Sequence, residues 1–485
     1  MSRRALAATA LLTGAIVAVA VQQPVASQTE PVRGLVLETQ NFAVNPGSLA
    51  HFELLVTADV PEIAPTTTTT TTTVATTVAT PPEPGAGDPG DQPGDGSGTP
   101  VDGTTVTEST TPAPTTTIAR GPEMIVQLRA HRRLTDRAAV DAAVGDDPGP
   151  VIDILQFELS DVSEFDETTG ERRLILDVPI NSGVVDVDAL DLTDPGVYPV
   201  TIQVRRNSVL VTEHTTFLEV IDVTGVGRGP FRFTVHAALP DPGPDPSGAE
   251  LAATRAGLSE IADLAAATNA PLSLALPPQL LRTVIDADPS LSARLTDVLD
   301  SNDGLVVLPD LHLDPSAAVE AGLTAEFRSR VTRGRAILSE LFPDLSVATS
   351  AWPTSSTLTA PGAALLRDVG IPILVVPFER YSGYQGSLLA QIDTALFLNA
   401  QLPDGSTLRM LVVDPVTQLL DPDRASDNSP AEDAVQLMAT TSVRRYELSP
   451  DVRTMVLTTA DLGAPSPEIL RYLEQFVAEH PDYSF

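Results

Sequence analysis

The stretch GLVVLPDLHLDP at residues 304–315 decides the fold, because an apolar run there turns at once into a Pro/Asp loop. A long helical pattern follows, then the apolar run 345–348, a second helical pattern and the β-branched run 371–376. Short apolar strands that alternate with helices are typical of parallel βαβ units. In folds built from such units, ligands bind where strands end and loops begin. This segment therefore indicates where a functional site should lie.

The same alternation extends outward over residues 226–485. Strands are predicted at residues 231–235, 272–276, 305–308, 345–348, 371–376, 408–413 and 455–458. The clearest helices are predicted near residues 249–268, 430–443 and 465–480. We therefore predict an α/β domain of the (β/α)7 type, an irregular and incompletely closed barrel. A doubly wound open sheet is the alternative.

Residues 31–223 show a different pattern, in which apolar and polar residues alternate in short runs. The predicted strands lie at residues 52–56, 124–128, 154–159, 174–178, 200–204, 209–211 and 217–221. Regular short strands separated by turn signals predict an immunoglobulin-like β-sandwich. Tyr198, just before one of these strands, resembles the tyrosine of an immunoglobulin-type corner. The chain is thus predicted to be multidomain, with a sandwich followed by a barrel.

Residues 65–120 are rich in Thr, Pro and Gly and include an unbroken Thr run at 66–73. Such a segment has little to bury, so we predict that it is disordered. Strand patterns flank it on both sides, which indicates a long loop inserted into one sandwich. A plain linker between two modules is the alternative.

Residues 1–30 read as a secretory signal. Arg3 and Arg4 precede an apolar run at residues 5–21, and small residues that suit cleavage follow. An uncleaved N-terminal anchor is the alternative, since the run is nearly long enough to span a bilayer. We expect an extracytoplasmic protein, secreted or attached to the envelope, that contacts membrane only through this segment if it is uncleaved.

Composition excludes several classes of function. The formal net charge is −35, from 64 acidic and 29 basic residues, and every basic residue is Arg. This balance argues against binding to nucleic acid or to an anionic membrane surface. The chain has no Cys, which excludes a thiol nucleophile and a thiolate metal site. No cofactor is expected, although a divalent metal remains a possibility.

The sharpest candidate cluster is Asp310, His312 and Asp314. In an extended segment these three side chains point to one side, where carboxylates and an imidazole could hold a divalent metal. The alternative is structural, because Asp314 followed by Pro315 is a common helix start.

Three carboxylates after other predicted strands are candidates for catalysis, namely Glu379, Asp414 and Asp461. Glu379 and Asp414 could form the acid and base or nucleophile of a glycoside hydrolase. The alternative for both is an ordinary role at the surface or at a loop start. Sequence cannot supply their separation.

Aromatic residues near the same strand ends could bind a ligand. Trp352, the only Trp, could stack on a sugar ring or could pack over the barrel end. Tyr381 and Tyr384 lie in a predicted flexible loop that could line a groove. His236, at the end of an apolar strand, is interpreted as a structural histidine.

The motifs of residues 304–376, with Trp352-Pro353 and LRDVG at 366–370, resemble the glycoside hydrolase/deacetylase seven-stranded barrel superfamily. The whole arrangement, including RRLTDR at 132–137 and PGVYPV at 195–200, resembles a family of actinobacterial exported proteins with a sandwich and such a barrel. That resemblance implies a role in the cell envelope.

The family pattern of catalysis is not present in the matching positions. Polysaccharide deacetylases carry an Asp-Asp pair on the first strand, where this chain has Val235-His236-Ala237. Related retaining hydrolases place a Glu after the fourth strand, where this chain has Ser350-Ala351. The first hypothesis is therefore a non-catalytic envelope protein that binds envelope glycan or proteins. The alternatives are an active glycoside hydrolase or polysaccharide deacetylase, and a structural spacer.

Overall fold

The computed structural model describes residues 34–57, 124–181, 188–222, 230–243, 245–354, 358–385, 397–447 and 453–485. The predicted signal or anchor at residues 1–30 and the predicted inserted loop at residues 65–120 lie outside the described residues.

Strands and helices follow one another in two blocks along the chain. The strands are β1 (Leu35–Gln40), β2 (Ala43–Val44), β3 (Leu49–Val56), β4 (Met124–His131), β5 (Val151–Glu158), β6 (Ser163–Phe165), β7 (Arg172–Pro179), β8 (Gly196–Arg206), β9 (Val209–Val220), β10 (Phe231–Ala238), β11 (Leu272–Ala275), β12 (Gly304–Val306), β13 (Ser346–Ala348), β14 (Trp352–Pro353), β15 (Ile373–Val376), β16 (Leu398–Gln401), β17 (Thr407–Val412), β18 (Arg453–Leu457) and β19 (Tyr483–Ser484). The helices are α1 (Arg137–Val144), α2 (Gly248–Ala267), α3 (Pro278–Ala287), α4 (Pro289–Val298), α5 (Pro315–Glu320), α6 (Thr324–Leu341), α7 (Ala360–Asp368), α8 (Phe378–Gln385), α9 (Pro430–Glu447) and α10 (Pro467–Glu479). All seven strands predicted after residue 230 are present, as β10, β11, β12, β13, β15, β17 and β18.

The strands before residue 222, which we call the two-sheet region, form two sheets. One has the order β1-β3-β7-β6, and the other β2-β9-β8-β4-β5. Inward side chains of both sheets, such as Leu54 and Val204, belong to one hydrophobic core. The hydroxyl of Tyr198 donates to the carbonyl of Asp194 at 2.5 Å, the kind of bond that a tyrosine corner makes. The relation of this region to immunoglobulin domains stays a prediction.

The strands after residue 230, which we call the half-barrel region, begin with a parallel sheet of the order β13-β12-β11-β10-β18. Strand β19 also pairs with β10. A second sheet has the order β14-β15-β17-β16, with only β16 antiparallel. Residues 346–353 connect the two, since β13 pairs with β12 and β14 with β15. Among the described strands, no ladder joins β17 to β18, so the barrel is open between these two strands.

Local sequence explains where the helices of the half-barrel region begin. Ser247 and Glu250 form a capping box at the start of α2, in which each side chain accepts from the other residue's backbone N–H. Helices α3, α4, α5, α7 and α10 each have a Pro in the first turn, where a missing N–H costs nothing.

Two sequence predictions differ from the structure. Residues 209–211 and 217–221 were expected as separate strands, but β9 is continuous because the polar stretch between them also pairs with β8. The residues expected to form a flexible aromatic loop at 381–386 are helical up to Gln385. The side chain of Tyr381 is buried in an apolar cluster with residues of other elements, and this packing stabilises the helix.

Helix α9 joins the two regions. It belongs to the half-barrel region in sequence, yet it also packs against α1, β1, β8 and β9 of the two-sheet region. Nearly every described side chain along α9 is buried, including polar residues from Glu432 to Arg445. Glu432 accepts the backbone N–H of Leu37, and Ser429 donates its hydroxyl to the Leu37 carbonyl. The two regions are therefore held together by buried polar contacts as well as by apolar packing.

The centre of this contact is the carboxylate of Glu219, on β9, which is fully buried. Ser442 of α9 donates to its Oε2 at 2.8 Å. Its Oε1 lies 3.4 Å from Nε2 of His480 and 3.6 Å from Nη1 of Arg445. Burial raises the pKa of Glu219, but His480, Ser442 and Arg445 together outweigh burial and hold the pKa below its usual value.

Among the described residues, no helix is both long enough and apolar enough to cross a membrane.

We predict that Glu219→Gln lowers the free energy of unfolding at neutral pH by about 3 kcal/mol, because it leaves the buried guanidinium of Arg445 without this counter-charge. A carboxylate with a depressed folded pKa stabilises the fold above its unfolded pKa of 4.5, and that stabilisation is lost as the pH falls through the folded value. The difference between variant and wild type should therefore shrink below pH 4.5 in urea unfolding.

The control for this prediction is Glu213→Gln, an exposed carboxylate on the same strand. It should change the free energy of unfolding by less than about 0.5 kcal/mol. Equal effects of the two substitutions, or a Glu219→Gln effect independent of pH, would contradict the role given to Glu219.

Candidate functional site

A cleft of about 700 Å³ opens at the carboxyl ends of the parallel strands. This is the edge at which ligands bind in folds of this kind. Strands β10, β11, β12, β14 and β18 or the loops after them contribute to it, and α2 forms one wall. The residues that line it include Ala238, Asp241, Ala256, Glu260, Ala275, Leu308, His312, Asp314, Trp352, Asp461 and Leu462. We call this space the strand-end cleft.

The floor of the strand-end cleft is apolar. Ala238 and Ala275 end their strands with methyl groups, and Leu308 follows β12. Below them a small cluster fills the interior of the half-barrel, formed by Val375, Leu411, Val413, Val456 and Leu462. The described residues at the bottom of the cleft are thus aliphatic.

Leu462 closes this interior through an unusual backbone conformation. Its φ is 71°, in the left-handed region that aliphatic residues rarely adopt. Its carbonyl accepts the N–H of Ala238 at 2.7 Å, and its own N–H donates to the carbonyl of Thr459. These bonds tie the loop after β18 to the end of β10 and hold a buried leucine between the cleft and the half-barrel interior.

The rim of the strand-end cleft carries the polar groups. His312 Nδ1 lies 4.0 Å from Oδ2 of Asp241, whose Oδ1 accepts the backbone N–H of Gly243 at 2.9 Å. Glu260 reaches the rim from α2, and Asp461 from the loop after β18. A rim of this kind can accept or donate hydrogen bonds to a hydroxylated ligand.

The predicted metal cluster is not assembled. The carboxylate of Asp310 binds Arg333 of α6, with Oδ2 at 2.6 Å from Nε, and does not line the strand-end cleft. Asp314 caps α5 by accepting the N–H of Ala317 at 2.8 Å, as the structural alternative expected. His312 lies near Asp241, a carboxylate outside the predicted cluster. Among the described residues, no three His, Cys, Asp or Glu side chains are grouped as metal ligands.

Contacts with helix α6 fix the position of Asp310. Gly334 packs so closely on the loop that a Cβ there would lie 2.0 Å from the Leu308 carbonyl oxygen. The N–H of Asp310 donates to the carbonyl of Arg330 in the same helix. The loop after β12 is therefore fastened to α6, and the i, i+2, i+4 pattern does not apply to it.

The predicted carboxylate pair is also not formed. Asp414 has a side chain with 0% exposure, and it binds both Arg444 of α9 and Arg137 of α1, the latter at 3.2 Å. It also caps the turn that follows by accepting the N–H of Val416. Glu379 lies exposed in the first turn of α8, outside the strand-end cleft. Asp414 is thus part of the contact between the two regions.

Asp461 does reach the strand-end cleft, where it is exposed. Its Oδ1 accepts the hydroxyl of Thr459 at 2.6 Å and approaches the N–H of Gly463 at 3.4 Å. These bonds shape the turn that places Leu462. Of the three candidate catalytic carboxylates, Asp461 is the one that the fold brings to the cleft.

The aromatic candidates have different surroundings. Trp352 is only 8% exposed and packs on Phe327 with ring centroids 6.0 Å apart, yet it forms part of the cleft wall. Tyr381 is buried and borders a second cavity of about 450 Å³ with Arg380. The side chain of Tyr384 lies outside the described residues. Trp352 thus combines packing with access to the cleft.

His236 lies within β10, two residues before the strand ends. It is 1% exposed, and its Nδ1 lies 3.4 Å from the hydroxyl oxygen of Ser273. Burial lowers the pKa of His236 to about 4, so the imidazole is neutral at neutral pH. Its Nε2 has no hydrogen-bond partner among the described residues.

Sequence reasoning missed Asp241, Glu260 and the small residues of α2 that border the strand-end cleft. The first strand was expected to end near His236 but continues to Ala238, so the loop that meets the cleft starts later. The Pro240-Asp241 pair directly after that strand was the available signal. For α2, the close spacing of Ala253, Ala256 and Gly257 on one helix was the signal.

Fold and cleft together define a multidomain α/β protein with a half-barrel sheet. No protein-family model matches the sequence, and no curated protein matches it.

Several solved structures share part of the fold. The 4-alpha-glucanotransferase from Thermococcus litoralis has a TM-score of 0.38 at 14% identity, over 53% of this chain and 39% of that one. An alpha-mannosidase from Enterococcus faecalis V583 has a TM-score of 0.35 at 11% identity, over 53% and 28%. A structure described as a candidate polysaccharide deacetylase from Mycobacterium smegmatis has a TM-score of 0.33 at 15% identity, over 54% and 88%. This chain spans less than half the length of the first two, and no activity follows from these scores.

We predict that Asp314→Ala lowers the free energy of unfolding by about 1 kcal/mol, because α5 loses its N-cap. The loss should be the same with added zinc and with a chelator, measured by urea unfolding. A zinc-dependent stabilisation of the wild type that Asp314→Ala abolishes would show that this residue is a ligand after all.

Proposed function

We propose that the chain is an exported cell-envelope protein whose half-barrel region, a degenerate polysaccharide-hydrolase-like barrel, binds envelope glycan in the strand-end cleft without cleaving it. The observation that carries this proposal is the aliphatic floor of the cleft. A glycoside hydrolase needs two carboxylates that flank the scissile bond. Here Val413, Val456 and Leu462 fill the space below the cleft.

Two carboxylates that were candidates for catalysis or metal binding, Asp414 and Asp310, have structural partners. Asp414 neutralises Arg137 and Arg444, and Asp310 neutralises Arg333. A carboxylate in such an ion pair is not readily available for catalysis. Breaking a buried ion pair costs about 3–5 kcal/mol. This supports binding over hydrolysis.

The cleft also suits a carbohydrate. Its volume of about 700 Å³ lies in the range of small-molecule sites. The wall contributed by Trp352 offers an aromatic edge, while Asp241, His312 and Glu260 offer hydrogen-bonding groups at the rim. Apolar contact combined with a few polar groups is what a sugar ring requires, because its faces are apolar and its edge carries hydroxyls.

Export, the immunoglobulin-like sandwich and contacts with envelope proteins belong to the same proposal. Support for export comes from the charged and apolar segment at residues 1–30. Support for the sandwich comes from the two sheets that share one core and from the Tyr198 corner bond.

An active hydrolase or deacetylase is the second candidate. One observation favours it, the approach of His312 to Asp241 at the rim of the strand-end cleft. A carboxylate beside an imidazole is a pair that can transfer protons in acid–base catalysis.

The test uses the single Trp of the chain as a reporter. Trp352 borders the strand-end cleft, so a bound glycan should change its emission. We expect a saturable change on titration with soluble peptidoglycan glycan strands and with chitohexaose. Ala256→Phe, which adds bulk at the cleft wall from an exposed position of α2, should weaken binding at least about tenfold, or roughly 1.4 kcal/mol.

The matched control is Ala252→Phe, an exposed position on the same helix that does not border the cleft. It should leave the affinity unchanged. Mass spectrometry of the incubated glycan separates the two candidates. Shortened or deacetylated products would establish the enzyme, and no saturable signal with either glycan in fluorescence and calorimetry would remove the glycan site.

A further inference from the structure

Another cleft, of about 380 Å³, lies on the outer face of the five-stranded sheet in the two-sheet region. It is lined by Ile125, Gln127, Arg129, Gln156, Arg205, Asn207 and Ser208. On β4, the lining positions alternate with Val126 and Leu128, which face the core. None of the seven described lining residues is acidic. We call this space the outer-face cleft.

The charge of the outer-face cleft is opposite to that of the chain, which carries 64 acidic and 29 basic residues. Many described arginines elsewhere in the chain pair with a carboxylate, as Arg333 and Arg444 do. The side chain of Arg129 makes no ion pair or hydrogen bond with any residue that the structure describes, and its Nε is buried without a partner among them. A buried donor without an acceptor is costly, so this guanidinium is suited to bind an anion.

Arg205 is held in place by neutral groups. Its Nη1 donates to Oε1 of Gln203 at 2.8 Å, and its Nη2 donates to the carbonyl of Ser208 at 2.7 Å. Asn207 and Ser208 form the tight turn between β8 and β9, with φ of 48° and 69°. Neither partner neutralises the charge of Arg205. A guanidinium has five N–H donors, so three are without a partner among the described residues.

The register of the sheet sets the spacing of the two arginines. Arg129 is opposite Thr201 of β8, and Arg205 is opposite Ile125 of β4. Their backbones are thus four residues apart along the strands, or about 13 Å at roughly 3.3 Å per residue. Gln127 stands between them, opposite Gln156 of β5. The outer-face cleft therefore offers a positive group at each end and amides in the middle.

We propose that the outer-face cleft binds an anionic oligosaccharide. Its acidic groups would pair with Arg129 and Arg205, because the guanidinium fork matches a carboxylate or a phosphate. Gln127 and Gln156 would bond the hydroxyls between the acidic groups. Exposed aliphatic side chains at both ends, Ile154 opposite Arg129 and Leu210 opposite Arg205, would cover the apolar faces of the sugar rings.

An acidic peptide fits this surface less well. A peptide would add to the open edge of β5 through its backbone, but Asp153 accepts the N–H of Ile154 with its own side chain at 2.8 Å. A carboxylate in an edge strand both occupies that donor and repels an acidic chain. Glu213, on the same face, accepts from Gln203 and flanks the Arg205 end. The face thus selects for acidic groups at the two arginines only.

The test is isothermal titration calorimetry of the full chain at low ionic strength. The probes are hexagalacturonate for carboxylates, a glycerol phosphate hexamer for phosphates, maltohexaose as a neutral chain and hexaglutamate as an acidic peptide. We expect binding of one or both anionic carbohydrate probes and none of maltohexaose. Arg129→Gln should reduce the affinity about tenfold or more, because it removes a charge-assisted contact, and Arg129→Lys by less.

Two variants keep this proposal separate from the proposed function. Arg335→Gln, an exposed arginine of α6, should leave the affinity unchanged. Ala256→Phe, which obstructs the strand-end cleft, should also leave it unchanged. Because Arg129 has no described partner to lose, its substitution should not change urea unfolding.

A lower affinity of Arg129→Gln for one of the anionic probes would support the site. The probe affected would show whether the site prefers a carboxylate or a phosphate. Several results would overturn the proposal: no binding of either probe at low salt, equal losses in Arg129→Gln and Arg335→Gln, loss of binding in Ala256→Phe, or tighter binding of hexaglutamate.

Discussion

The burial of helix α9 between the two regions is the constraint on which the other features depend. A helix surrounded by protein is usually apolar all round, but α9 carries buried charges along its length. Each of these charges requires a partner from another element, since an unpaired buried charge costs several kcal/mol. Glu219 supplies one partner and Asp414 another. The contact between the regions is therefore specific in register and orientation.

This constraint also explains the character of the strand-end cleft. Asp414 follows the sixth parallel strand, at the edge where a barrel enzyme places catalytic groups, yet α9 and α1 claim its carboxylate. The loop after β12 is fastened to α6 in the same way through Asp310. The carboxylates left at the rim surround an aliphatic floor, and the cleft keeps the shape of a ligand site with different chemistry beneath it.

Charge is distributed unevenly over an acidic chain. Many arginines among the described residues neutralise carboxylates within or between elements, as Arg333 and Arg445 do. The outer face of the five-stranded sheet differs, because Arg129 and Arg205 point at an open cleft with amides between them. The two-sheet region thus has one face that packs against α9 and another that presents two arginines to solvent.

Much of the strand order after residue 230 could be predicted from local sequence. The seven strands predicted there lie within a few residues of their places, because β-branched runs and Pro-capped helices carry a local signal. The short strands β14, β16 and β19 were not predicted. Periodicity likewise located the strand ends, and Asp461, His312 and Trp352 do border the cleft there.

Which side chains remain available for a ligand depends on long-range packing. Asp310 and Asp414 have the residue type and the place of functional carboxylates, yet arginines more than twenty residues away in sequence engage them. No local pattern encodes such pairings, because they depend on how α6 and α9 pack. The same holds for Leu462, whose left-handed backbone is imposed by bonds to β10. Local periodicity specifies the elements, whereas long-range packing specifies their chemistry.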